Sequence, residues 1–380
     1  MRPVALSLWL LLAGCAATPV KPFIATPDRH QLDTDQRVVW QASDDQDLAF
    51  QNSGATFDDP GLQAYVQGIV DRLYPDFHGA IRVHLLKSSV PNAFMMANGS
   101  CYVQLGILPL LQDEAQLAIV LGHEGIHFVR QHSVQERGYA NSTAVTGLVL
   151  GIVVPFVAPM IAYSSIFGYS VEMETEADQR GYARFLKAGY DPVEAVAPFT
   201  ALDEYSRAMG IKESYFYADH PKLQARIAYF RGEAGKSPAT GIVGRDEYLA
   251  ATQNARLWVL QELLARQNHK ALIFLLEDDA RRAEYPDWAR YYLGRAYVLR
   301  GSDGDPAKAE AIYRDLLVKD PGYAPAYEAL GELLMRRGTD AEAIAMFQSY
   351  ERLAPAASDR AYVDAYLKRL TAVATSKGNP

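Results

Sequence analysis

Apolar positions outline the elements of this chain before any chemistry does. Behind Asp59-Pro60, a helix-start signal, Leu62, Val66, Ile69, Val70 and Leu73 share one stripe, which predicts a helix ending near Leu73. Ile81 to Leu85 alternates as strands do, and Cys101 to Leu105 predicts a second strand. Gln116 to Leu121 and Phe128-Val129 form a Pro-free apolar run behind Asp113-Glu114, predicting another helix. Gly189-Tyr190-Asp191-Pro192 ends a later helix and starts the next. The fold class is therefore mostly α: an α+β domain with a small sheet over 58–234, then an all-α region over 246–375. Residues 235–245, with Gly235-Lys236-Ser237-Pro238, read as a linker. Residues 15–57, with Pro19, Pro22 and Pro27 followed by an Asp/Gln-rich stretch, read as tether plus weak structure.

The C-terminal region carries a period of 34. Leu330-Gly331, Ala343, Phe347 and Pro355 occupy tetratricopeptide positions, and Leu293-Gly294-Tyr297, Ala309, Tyr313 and Pro321 form a copy upstream if Gly301 to Asp305 holds about three extra residues. A weaker copy lies between Asp246 and Ala283, and Asp359 to Leu370 reads as a capping helix. Each such helix pair must stack to bury its apolar face, and the array offers a concave groove for a partner protein. A generic helical bundle is the plainer alternative.

The chemistry concentrates in His123-Glu124-Gly125-Ile126-His127. Imidazoles at i and i+4 lie on one helix face and can share a metal ion, while the adjacent carboxylate reaches a water beside it as general base. With 8 His in 380 residues, chance yields HExxH roughly once in a hundred such chains. A catalytic zinc wants three protein ligands and an open position. Continuing to HExxHxxGxxH requires Gly at 130 and His at 133. Arg130 and Ser133 stand there, with His132 one residue out of register. The better third ligand lies in Val171 to Asp178. Glu174 and Asp178 share a face there, so one carboxylate can bind metal while the other orients a ligand histidine. Ala177 and Gly181 would let the two helices approach closely. Alone, that segment would read as a solvated acidic face.

HExxH followed by ExxxD, with Ala before the Asp, resembles the HtpX-like and CAAX-prenyl-protease-like zinc metallopeptidases, a gluzincin family. Pro91-Asn92-Ala93-Phe94, Gly99 and Tyr102-Val103 leading to Gly106-Ile107-Leu108 are similar to the strand before that family's zinc helix. Tyr217-Ala218-Asp219-His220-Pro221, with Arg226 after it, resembles its His-Pro motif. The resemblance covers roughly residues 60 to 231. It implies one Zn2+ per chain held by His123, His127 and Glu174, with Glu124 as base and Asp178 behind the ligands. One departure is visible: the family commonly has Ser-Arg where this chain has Ser170-Val171. His220, held extended by Pro221, could stabilise an oxyanion, cap the zinc or serve its loop structurally. Arg226 could pair with a buried Glu or Asp.

The start of the chain bears on location. Met1-Arg2, the apolar run Val4 to Leu12 and Leu12-Ala13-Gly14-Cys15 read as a secretory signal over 1–14 that looks like a bacterial lipobox. It implies lipid on Cys15 and, with Ala16 following, an outer-membrane anchor in the periplasm of a Gram-negative bacterium. Only Cys101 then remains, so no intramolecular disulfide is possible, and it is expected to pack as a small hydrophobe. Formal net charge is −8 without a basic patch, which argues against nucleic acid as a partner. His30, His78, His84, His132 and His269 are expected to be structural or exposed. Ala144 to Phe167 is apolar over about a membrane span, but Gly151, Pro155 and Pro159 interrupt it, and it joins two helices that must meet at one zinc. It is read as a kinked hairpin, in the core or dipping into the membrane interface.

The expectation is a periplasmic zinc metalloendopeptidase whose substrates are unfolded or misassembled outer-membrane proteins. Its partner, by resemblance of the whole arrangement, is the β-barrel assembly machinery, met through the repeat groove. The competing expectation is an assembly chaperone or scaffold with a latent zinc site.

Overall fold

The computed structural model describes residues 20–136, 169–211 and 223–377. The signal over 1–14, Cys15, the 144–167 stretch and His220 lie outside the described residues. Among those described, no helix is long and apolar enough to cross a membrane.

Helix α1, Thr34–Asn52, precedes α2, Pro60–Leu73. The Asp59 side chain accepts from the Leu62 amide to start α2, which buries Leu62, Val66, Ile69, Val70 and Leu73, the predicted stripe. Strands β1, Arg82–Leu86, β2, Ala93–Met95, and β3, Ser100–Gln104, form one sheet in the order β1-β3-β2. Val83 pairs with Cys101 in parallel, and Phe94 pairs with Tyr102 antiparallel. One face packs Val83, Leu85, Cys101 and Val103 into the main core with α2 and with α3, Glu114–Val129. Cys101 is fully buried, and burial pushes its thiol well above the ordinary range.

The other face corrects the expectation of weak structure before residue 57. α1 covers it, closing a second small core of Phe50, Leu86, Phe94, Met96 and Tyr102. A capping box between Asp33 and Gln36 starts this helix. Its buried positions, Trp40, Ser43, Asp47 and Phe50, keep helical spacing, but two of the four are polar. No apolar stripe marks it in the sequence for that reason. Asp47 belongs inside because three donors reach it: Asn98 Nδ2, Ser100 Oγ and Tyr102 Oη, each at 2.7 Å.

α4, Val171–Lys187, α5, Ala197–Met209, and α6, Leu223–Ala234, complete this part of the chain. Residues read as a linker then dock onto it. The Ile242 amide donates to the Gly189 carbonyl at 2.9 Å, and the Ala115 amide donates to the Val243 carbonyl at 3.0 Å. The Tyr248 hydroxyl, on α7, Arg245–Ala265, donates to Leu108 O at 2.8 Å. One continuous hydrophobic cluster runs from α2 into the C-terminal helices.

Helix pairs follow: α8, His269–Leu276, and the short α9, Asp279–Arg282; α10, Arg290–Arg300, with α11, Asp305–Lys319; α12, Ala324–Arg337, with α13, Asp340–Leu353; then α14, Arg360–Lys377. The two pairs α10–α11 and α12–α13 close identically. A Cβ on Gly294 would meet the Tyr313 ring at 2.4 Å, and one on Gly331 would meet Phe347 at 2.7 Å. Both aromatic rings are fully buried.

Candidate metal centre and active site

All residues of α3 are buried, an unusual setting for His123, Glu124 and His127. The Asp113 side chain caps its start by accepting from the Gln116 amide at 2.9 Å. α4 is capped by Ser170, which accepts from the Met173 amide, and it buries Glu174 and Asp178 on the face turned to α3. The structure thus brings together the residues expected to converge. His123 Nε2 lies 3.1 Å from His127 Nε2 and 3.4 Å from Glu174 Oε2, and His127 Nε2 lies 3.5 Å from Glu174 Oε1.

That triangle fits zinc. Ligand atoms bonded at about 2.0–2.2 Å in tetrahedral geometry stand about 3.3–3.6 Å from one another. Charge supports the fit as well. Three buried carboxyl side chains, Glu124, Glu174 and Asp178, face one buried cation, Arg226. A divalent ion balances such a set, which water-free surroundings would otherwise penalise.

Asp178 and Arg226 lie beside this group, on the His123 side. Asp178 Oδ1 lies 2.8 Å from His123 Nδ1, the ring nitrogen away from the metal position. Arg226 donates to both Asp178 oxygens, from Nη2 to Oδ1 at 2.7 Å and from Nε to Oδ2 at 3.0 Å, and its guanidinium sits 4.4 Å over the Phe199 ring. Burial raises the Asp178 pKa, but Arg226 and His123 outweigh it, and the carboxyl stays below its ordinary range. Burial and Arg226 pull His123 down, while Glu174 and Asp178 more than offset them, leaving it above its ordinary value. An ionised Asp178 can accept a proton from His123 Nδ1, which would leave Nε2 facing His127 and Glu174. Arg226 is the buried partner that the sequence left open between Glu and Asp.

Two residues at the site carried no clear signal in the sequence. His132 is fully buried, with Nδ1 2.9 Å from His127 Nδ1, and burial drives its imidazole down to about 4, so it is neutral. Tyr169 stacks on His127, ring centroids 3.9 Å apart and 17° from parallel, and its hydroxyl lies 3.0 Å from Ser133 Oγ. A lone Tyr after an apolar stretch offers nothing to read.

Two buried imidazoles and a carboxylate, with a second carboxylate beside the first imidazole, form a group able to hold a metal ion. Residues 58–234 match the family model described as Peptidase family M48. That family is zinc-dependent. The chain is 30% identical over 149 residues to mitochondrial metalloendopeptidase OMA1 of Schizosaccharomyces pombe, covering 38% of this chain and 44% of that protein. It is 26% identical over 265 residues to a putative beta-barrel assembly-enhancing protease of Vibrio cholerae, covering 63% of this chain and 54% of that protein. A beta-barrel assembly-enhancing protease of Yersinia pestis is 21% identical over 314 residues, covering 77% of this chain and 62% of its own length. The chain spans about half the length of the curated relatives it matches.

Proposed function

We propose that this chain is a periplasmic zinc metalloendopeptidase, lipid-anchored through Cys15 at the outer membrane, that degrades misassembled outer-membrane proteins and aids their assembly. The convergence of His123, His127 and Glu174 beside Glu124 carries the reading. Relatives named for β-barrel assembly support its cellular setting. Zinc bound there would polarise a scissile carbonyl and bring a water's pKa towards about 7. Glu124 accepts the proton of the attacking water and returns it to the leaving amine. Asp178 holds His123 in the ligating tautomer. His220, which follows the metal-site helices in the chain, would help the oxyanion or close the site without substrate. β2, at the end of the sheet order, offers a strand for an extended substrate, favouring unfolded segments. The stacked pairs closed by Gly294–Tyr313 and Gly331–Phe347 support tetratricopeptide repeats with a partner groove, for which the β-barrel assembly machinery is the candidate.

The test compares wild type with Glu124→Gln on an unfolded protein such as casein, with bound zinc measured in both. Cleavage by wild type alone, at equal zinc content, supports the proposal. Failure of zinc-loaded wild type to cleave contradicts it. The names of the relatives speak of assembly as well as proteolysis, which favours a second reading as an assembly scaffold. Equal rescue of a deletion strain by wild type and Glu124→Gln would establish that reading instead.

A further inference from the structure

His132 cannot reach His127 along an uninterrupted helix, where residues five apart point about 140° away from one another. The chain makes the contact by leaving the helix. α3 stops at Arg130, and Gln131 takes a left-handed conformation at φ 57°, one of two non-glycine residues with positive φ among those described. Its side chain is held on both sides: Gln36 Nε2 donates to Gln131 Oε1 at 2.7 Å, and Gln131 Nε2 donates to the Lys21 carbonyl at 2.6 Å. The reversal folds His132 back beneath the second metal-binding imidazole. A strained residue clamped by two side-chain hydrogen bonds is a built feature.

The hydrogen bonds run in one direction. His127 turns Nε2 to His123 and Glu174, so with a metal on Nε2 its ring proton would sit on Nδ1, 2.9 Å from His132 Nδ1. His132 Nδ1 must then accept, which places its own proton on Nε2, 3.3 Å from Glu176 Oε2. Glu176 is held in turn by Arg130 Nη2 at 2.9 Å and Arg180 Nε at 2.7 Å.

We propose that His132 is a positioning residue for the metal, accepting the Nδ1 proton of His127 and linking that ligand to Glu176. The proposal rests on the zinc-peptidase reading. α4 then serves the site three times: Glu174 binds metal, Asp178 orients His123 directly, and Glu176 orients His127 through an interposed imidazole. The spacing requires the intermediary, because Glu176 lies on a different face of α4 from the ligand carboxylate. His132 fills the gap between helices that a carboxylate from α4 alone does not bridge.

Zinc affinity of the full chain, by competition with a chelating dye, and the visible spectrum of the cobalt-substituted protein test this. His132→Leu removes the acceptor, while His132→Asn keeps an oxygen where Nδ1 was. Expected is about a 10–100-fold loss of zinc affinity in His132→Leu, a changed cobalt spectrum, and recovery of most of the loss in His132→Asn. Glu176→Gln, at a partly exposed site, should lose affinity less, and it carries the test should His132→Leu not fold. Unchanged affinity and spectrum in His132→Leu or, failing its folding, in Glu176→Gln overturns the proposal, as does His132→Asn behaving like His132→Leu. Wild type that takes up no zinc overturns the peptidase reading and this proposal together. Zinc-binding wild type with indifferent variants overturns this one alone.

Discussion

Gly181 meets Gly122 where α4 crosses α3, and Gly181 could not carry a methyl group in place. A Cβ on Gly181 would stand 2.8 Å from the Gly122 carbonyl carbon and oxygen, and one on Gly122 would stand 3.2 Å from Gly181 O. Gly122 immediately precedes His123, and Gly181 lies three residues past Asp178. The backbone contact therefore sets how far the α4 carboxylates stand from the α3 imidazoles.

Gly181→Ala should push the helices apart, costing about 1–3 kcal/mol of stability and weakening zinc binding. Gly68→Ala on α2, where a Cβ meets nothing within 4 Å, should instead stabilise by about 0.5–1 kcal/mol and leave zinc alone. Thermal unfolding and zinc titration of both variants read this difference. Equal effects would mean that the crossing does not set the site.

Asp178→Asn should weaken zinc binding about 10–100-fold, because His123 exchanges a charged acceptor for a neutral amide. A pH dependence accompanies it. Without metal, Glu174 and Asp178 hold His123 above its ordinary value, and zinc must displace that proton. Wild-type affinity should fall as pH drops through the His123 value. In Asp178→Asn that value is lower, so the fall should begin at lower pH. Titrations across pH check both slopes.

Asp47→Ala should destabilise the peptidase domain by about 2–4 kcal/mol, since it strands the buried donors of Asn98, Ser100 and Tyr102. A free tether would tolerate the change. Urea unfolding followed by tyrosine fluorescence reads the outcome, and an unchanged midpoint would detach α1 from the domain's stability.

Glu328, on α12, is pushed up to about 7 by burial first and then by Glu332 and Asp359. Its folded pKa exceeds its unfolded one. The folded state is thus favoured below the ordinary carboxyl value, and that advantage is lost as pH rises through about 7. Glu328→Gln should therefore raise the melting temperature at pH 8 relative to wild type and leave little difference at pH 5. Parallel shifts at both values would rule this titration out.

How much the sequence revealed depended on whether apolar spacing was left undisturbed. α2 was legible to its last residue because all five buried positions are aliphatic. The convergence of His123, His127 and Glu174 was legible because i, i+4 spacing survives whatever surrounds it. α1 was not, since Ser43 and Asp47 occupy half of its buried face and their justification lies on β3, far along the chain. His132 sits one residue out of the HExxHxxGxxH spacing, and its contact with His127 depends on a single left-handed residue, Gln131, that no apolar pattern marks. The docking of residues 242–248 is made largely by backbone hydrogen bonds, which leave no side-chain mark where composition suggests a linker.

Anomalous scattering at the zinc edge, from crystals of the full chain grown with zinc, tests the central claim most directly. The account predicts one peak within about 2.0–2.2 Å of His123 Nε2, His127 Nε2 and a Glu174 oxygen. A zinc-loaded crystal with no peak there, or with its zinc on another set of side chains, would contradict it.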